Sequence, residues 1–184
     1  MPRVPVHDLH TAPEGSRDAL KTLEARHGGK IINIFGAMAH APAMVELFRS
    51  AEQALVSSSS LDAATREAIH LAVANVNGCD YCQAAYTLAC SREGFTEEQT
   101  IHIRQGAVAF DPALDALLAV TREAAERKGY VADDTWQRAL DADWSDQQLL
   151  EAFADTVRTI LTNYFNHFVG TELDLPPAPA LERS

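Results

Sequence analysis

Apolar residues recur at three- and four-residue intervals along most of the chain, and no run alternates with period two, so the pattern predicts helices throughout. A first helix is expected over residues 16–26, stopping at Gly28-Gly29. Residues 31–40 are apolar and read as short helical turns before Pro42. A second helix follows over 42–56, with Met44, Val45, Leu47, Phe48 and Leu55 as its apolar positions. Residues 61–76 carry almost no polar face, since Ala68, Ile69, Leu71, Ala72, Val73, Ala74 and Val76 surround the axis. Such a helix belongs at the centre of a fold. Asn77-Gly78 ends it, and another helix begins at Cys79 or Asp80 and runs to about residue 91.

Three further start signals stand downstream. Thr96-Glu97-Glu98-Gln99 and Ser145-Asp146-Gln147-Gln148 are capping boxes, in which the hydroxyl and the amide side chain satisfy each other's free backbone N–H. Trp144 and Leu149 flank the second box as a hydrophobic staple. Asp111-Pro112 opens a helix that ends at Gly129, and the last helix is expected over 146–168. The run at Ser57 to Ser60 reads as a loop. The fold class is therefore all-α, a single helical domain over residues 16–174. Residues 1–15 form an extended arm with Pro2, Pro5 and Pro13, and residues 175–184 a proline-rich tail, because proline lacks the amide hydrogen a helix needs. Arms of this kind either wrap a neighbouring subunit or fray.

The composition changes the picture mainly by exclusion. A hydrophobic fraction of 47% in 184 residues is enough for a core. With 15 Lys+Arg against 26 Asp+Glu, the net charge of −11 argues against nucleic acid, whose phosphates need a basic footprint. A membrane-surface helix would need a Lys/Arg-rich polar face, and none is visible. No apolar leader or membrane span is apparent, and three cysteines make no disulfide scaffold, so a reduced, cytoplasmic protein is expected.

The sharpest chemical feature is Cys79-Asp80-Tyr81-Cys82, where one helix has ended and the next begins. Free N–H groups and the helix dipole at such a start stabilise a thiolate, the form that attacks peroxides and disulfides. The alternative is two buried thiols that happen to be close. Structural zinc is not expected, because four ligands are needed and no second pair exists. Glu67 lies in the most apolar helix, either as a solvated carboxylate paired with Arg66 or as a proton acceptor for a cysteine. His70, three residues on, shares its face and is either a relay or a satisfied core histidine. By cap physics alone, Cys79 is the lower-pKa thiol of the pair. Cys90 reads as a small core residue, His40 and His167 as packing or capping residues, and His7, His10, His27 and His102 as surface residues. Tyr81 either packs against the motif or borders the substrate entrance.

Arg66-Glu67, the apolar helix, Asn77-Gly78 and the cysteine pair together resemble the core motif of the carboxymuconolactone decarboxylase/alkylhydroperoxidase D-like superfamily, with Glu67 twelve positions before Cys79. Two flanking stretches resemble its peroxidase-related branch: Asn33-Ile34-Phe35 through Met38-Ala39-His40-Ala41-Pro42, and Asn163-Tyr164-Phe165-Asn166-His167-Phe168. The resemblance spans residues 31–175. It implies an all-helical homo-oligomer, often a trimer or hexamer, with thiol-based peroxidase activity; no cofactor or metal is expected. By the same resemblance, Cys82 is the peroxidatic cysteine, Cys79 the resolving cysteine and Glu67 the proton-relay carboxylate. One position departs: Tyr86 stands four residues after Cys82, where the family usually has histidine. An unperturbed phenol, with a pKa of about 10, hydrogen-bonds well but shuttles protons poorly at neutral pH.

The expected function is hydroperoxide reduction, with the oxidised pair restored by a dithiol or lipoyl-type partner. The alternative is a non-catalytic or redox-sensing helical oligomer, which Tyr86 favours. A lactone decarboxylase is disfavoured because that chemistry does not require the cysteines.

Overall fold

A computed structural model describes residues 2–181. Among them the chain forms nine helices: α1 Glu14–Arg26, α2 Asn33–Met38, α3 Pro42–Ser58, α4 Ala63–Val76, α5 Asp80–Arg92, α6 Glu97–Gln105, α7 Pro112–Glu126, α8 Asp133–Asp141 and α9 Asp146–Val169. The fold class is all-α, as the periodicity requires. α4 is the axis, packed on α5, α6, α7 and α9. Its Ile69, Leu71 and Val73 are fully buried, so a polar face would have had nowhere to go. Burying one such side chain stabilises the fold by about 1.5–3 kcal/mol.

Local start signals act as the sequence indicates. Asp62 caps α4 through Thr65 N–H, and both capping boxes form, at Thr96/Gln99 and Ser145/Gln148. Gly78, at φ +63°, takes the left-handed conformation that lets α5 leave the end of α4 directly. Three expectations shift. α3 continues through Ser58, so half of the serine run is helical. Residues 33–38 form one short helix. α8 has no sequence counterpart above: Ala132 at its N-cap offers no side-chain cap, and tertiary packing of Trp136 and Leu140 on the α7 side holds it.

The N-terminal arm packs on its own chain. Arg3 N–H donates to Val169 O and His7 N–H to Gly36 O. Gly36 is required there, since a Cβ would lie 2.6 Å from Val6. The tail reaches the start of α2 and α5, where Asp174 accepts from the Asn33 N–H at 3.3 Å and from the Tyr81 hydroxyl at 2.7 Å and pairs with Lys30 at 3.2 Å. Of the tail sequence, residues 182–184 lie outside the described residues. Two apolar clusters result, one around α4 and α7, the other around α1–α3 and the start of α5. Tyr86 packs against both, so the cysteine helix occupies the seam. No helix among the described residues is long and apolar enough to cross a membrane.

Candidate active site

The α4–α5 turn sets the cysteines. Cys79 is the N-cap of α5, and its Sγ accepts the Cys82 N–H at 3.4 Å. Both thiols are buried and free. α9 crosses them with a polar stripe. Asn166 Nδ2 lies 3.1 Å from Cys82 Sγ and 3.8 Å from Cys79 Sγ, and Thr162 Oγ1 lies 4.0 Å from Cys82 Sγ. Asn163 Oδ1, on the same stripe, accepts from Asn77 in the turn at 2.8 Å.

These contacts separate the two thiols. The hydrogen bond from Cys79 holds the Cys82 thiol below its ordinary value against the opposing effect of burial, and Asn163, Asn166 and Thr162 add to it. Cys79, as the donor, is pushed up by the same bond and by burial. Cap physics alone pointed the other way. The difference comes first from Cys79 itself, whose thiol donates to Cys82, and then from α9, whose Asn166 amide approaches Cys82 at 3.1 Å against 3.8 Å for Cys79.

Cys82, not Cys79, lines a cleft of about 340 Å³. Ile34, Phe35, Phe48 and Leu88 make its apolar walls, while Glu67 and Arg158 bring opposite charges to it. Tyr81 and the tail residue Leu175 also border this opening, so Tyr81 both packs on the motif and edges the cleft. A second cleft of about 330 Å³, between α7, α8 and α9, is lined by residues such as Val120, Trp136 and Leu149 and carries no nucleophile.

Glu67 and His70 belong to a buried network. His70 Nδ1 meets Glu67 Oε2 at 3.3 Å, and its Nε2 meets Asp155 Oδ1 at 2.7 Å. Asp155, fully buried, also accepts from Arg66 at 3.0 and 3.1 Å. Burial pushes the Glu67 carboxyl up, but His70, Arg158 and Arg66 outweigh it, leaving a carboxylate that is ionised at neutral pH. Tyr86 stands between this network and the thiols. Its hydroxyl accepts from Arg158 Nη1 at 2.7 Å and lies 3.5 Å from Thr162 Oγ1. Because Thr162 gives its own hydrogen to Thr159 O at 2.8 Å, Tyr86 is the donor in that pair. Burial raises the phenol and the Arg158 charge does not reverse this, so Tyr86 stays protonated at neutral pH.

Residues 42–123 match the model of the carboxymuconolactone decarboxylase family. That segment of the chain is similar to the family. Its fold is similar to an uncharacterized peroxidase-related protein of Ralstonia eutropha JMP134, described as an alkylhydroperoxidase AhpD core, with TM-score 0.81, 21% identity, and 94% of this chain and 92% of that one covered. A peroxidase-related protein of Silicibacter sp. TM1040 matches with TM-score 0.75 and 16% identity over 95% of this chain and 89% of that one. The debrominase Bmp8, solved with 2,3,4-tribromopyrrole, matches with TM-score 0.79 and 13% identity over 94% and 91%. At these identities the likeness concerns the fold. No curated protein gives a significant match.

The residues singled out in the sequence, Glu67, His70, Cys79, Cys82 and Tyr86, gather along the α4–α5–α9 seam. His70 reaches Glu67 and Asp155, and its ring packs on Tyr86 with centroids 5.0 Å apart. His27 is not a free surface histidine: its ring packs on Phe35 at 4.9 Å and edges the cleft. Sequence reasoning missed Asp155, Arg158, Thr162 and the contact role of Asn166. Their signal was present, since Asp155, Thr159, Thr162 and Asn166 recur at helical spacing on a face that should have been apolar. Cys90 is fully buried in the other apolar cluster, eight residues and about 12 Å along the helix from Cys82. Oxidation is therefore expected to link Cys79 to Cys82 and leave Cys90 free. Peptide mapping of the oxidised protein by mass spectrometry checks this, and a dominant Cys82–Cys90 link contradicts it.

Proposed function

We propose that the chain is a thiol-dependent hydroperoxide reductase. The observation that carries this reading is a thiol, Cys82, that accepts from the Asn166 amide at 3.1 Å, lines a cleft and has a second thiol directly behind it. The Cys82 thiolate attacks the terminal oxygen of the hydroperoxide, the O–O bond breaks, and the departing alkoxide takes a proton. Cys82 is left as a sulfenic acid. Cys79 sulfur then attacks Cys82 sulfur, forming the disulfide and releasing water. A dithiol or lipoyl-type partner restores both thiols by exchange. Glu67, ionised on the cleft wall, is the proton-transfer carboxylate. Tyr86 and His70 stand where they pass on or orient that proton. The protein works in a reducing, cytoplasmic setting, where the pair is regenerated.

The same reading includes a homo-oligomer, a trimer or hexamer. α4 does not support it, because its apolar surface is consumed inside the subunit. Support comes from α9, where Leu150, Phe153, Val157, Tyr164 and Phe168 are exposed in one long stripe. Light scattering distinguishes this assembly from a 20 kDa particle.

The test is steady-state peroxide consumption with saturating dithiol from pH 6 to 8. Turnover is expected, with Glu67→Gln slower by about 10²-fold, the lower range for a general acid–base group. Tyr86→His is expected to raise the rate by supplying a group that titrates near neutrality. A wild-type protein that forms the disulfide once and never turns over is a redox sensor instead.

A further inference from the structure

Asn166 touches both sulfurs and has no assigned part in the chemistry. Its amide is 4% exposed, in the middle of α9, and its two N–H groups face two thiols at 3.1 and 3.8 Å. The same orientation leaves its carbonyl oxygen buried without a donor. An unpaired buried carbonyl is costly, so the gain from aiming both N–H groups at sulfur must offset it. An amide carries no charge. It stabilises a thiolate without adding a cation that would titrate near neutral pH, and it leaves the sulfur nucleophilic.

Resting on the peroxidase reading above, we infer that Asn166 is a catalytic residue that holds negative charge on the two sulfurs in turn. In the first half of the cycle one N–H donates to the Cys82 thiolate before it attacks. In the second half the dithiol reductant enters through the cleft, and the sulfur it meets there is Cys82. The reductant thiolate attacks Cys82 sulfur, the Cys79–Cys82 bond breaks, and the electron pair goes to Cys79. That leaving thiolate is received by the Cys82 N–H at 3.4 Å and by the other N–H of Asn166. The reductant's second thiol then attacks its own sulfur in the mixed disulfide. It leaves as a cyclic or intramolecular disulfide and returns Cys82 as a thiolate to Asn166. Reductant and hydroperoxide thus use the same sulfur and the same cleft, one after the other.

The experiment uses the full chain with Asn166→Leu and the isosteric Asn166→Asp, each checked by thermal melting. Two rates are read: iodoacetamide alkylation of reduced Cys82 against pH, located by mass spectrometry, and opening of the Cys79–Cys82 disulfide by dithiothreitol. The expected result is an upward displacement of the alkylation midpoint, with alkylation at pH 7 slower by about tenfold, the effect of one pKa unit. Asn166→Asp, which sets an anion against the sulfur, is displaced further. Disulfide opening slows in parallel, because a poorer thiolate leaves more slowly. If Asn166→Leu does not fold, Asn166→Asp carries the measurement alone. A folded variant with unchanged midpoint and unchanged opening rate overturns the inference. Neither rate depends on peroxide turnover. A protein that consumes no hydroperoxide but shows both displacements therefore keeps the role of Asn166 and loses only the peroxidase reading.

Discussion

Cys82→Ser is expected to abolish peroxide consumption, and Cys79→Ser to leave a single turnover per chain. The two thiols differ in burial by almost nothing, so the asymmetry is one of chemistry and access. Cys82 lines the cleft, accepts from the Cys79 thiol and from Asn166, and is held below its ordinary pKa. A serine hydroxyl at that position does not ionise near neutral pH, and removing the sulfur removes the nucleophile. Without Cys79 the attack still occurs, but the sulfenic acid on Cys82 has no neighbouring thiol to condense with. Rapid-mixing kinetics with a sulfenic-acid probe reads both outcomes. The expected traces are no burst for Cys82→Ser and a burst of about one equivalent for Cys79→Ser. If the two variants exchange behaviours, the roles are reversed and the cleft does not deliver the peroxide to Cys82.

The second large effect is on stability. Asp155 is fully buried and accepts from Arg66 through both oxygens and from His70 at 2.7 Å. Asp155→Asn withdraws the anion and strands two nearly buried cationic or potentially cationic groups. Breaking a buried pair in this way costs about 3–5 kcal/mol. In a chain of this size that corresponds to a fall of roughly 6–20 °C in Tm. The pH dependence has a definite sign. Burial opposes ionisation of Asp155, but His70 and Arg66 outweigh it and bring its pKa down from 3.8 to about 2. A carboxyl depressed in the folded state contributes stability that is fully present above its unfolded pKa and is lost as pH falls through the folded value. The contribution is about 2 kcal/mol at neutral pH. The gap between wild type and Asp155→Asn should hold between pH 5 and 7 and narrow between about pH 4 and pH 2. Denaturant unfolding across that range checks it. A gap that stays constant down to pH 2 contradicts the assigned ionisation.

Arg66, Asp155, His70 and Glu67 run from the buried end of this network to the cleft wall, so the residue that anchors α9 to α4 also aims the carboxylate proposed to move protons. Stability and chemistry share these side chains. Arg158 repeats the arrangement on the other side: it lies over the Phe48 ring at 5.1 Å, reaches Glu52 at 3.8 Å and donates to Tyr86.

What the sequence determined by itself is whatever depends on neighbours three or four residues apart. Helical periodicity, both capping boxes, the Asn77-Gly78 turn and the placing of Cys79 at the start of α5 are local, and each forms where the residues require it. The approach of Glu67 to His70 is local too. Tertiary structure decided the rest. α8 exists because Trp136 and Leu140 find the α7 surface, since its own N-cap carries no signal. The lower thiol is Cys82 because the Cys79 thiol donates to it and because α9, more than seventy residues away in sequence, lays Asn163, Asn166 and Thr162 across it, and together these override the helix-start field that favours Cys79. Tyr86 gains Arg158 and His70 gains Asp155 by the same crossing. The field at a thiol is summed over every donor within a few ångströms, and only the folded chain brings those donors together.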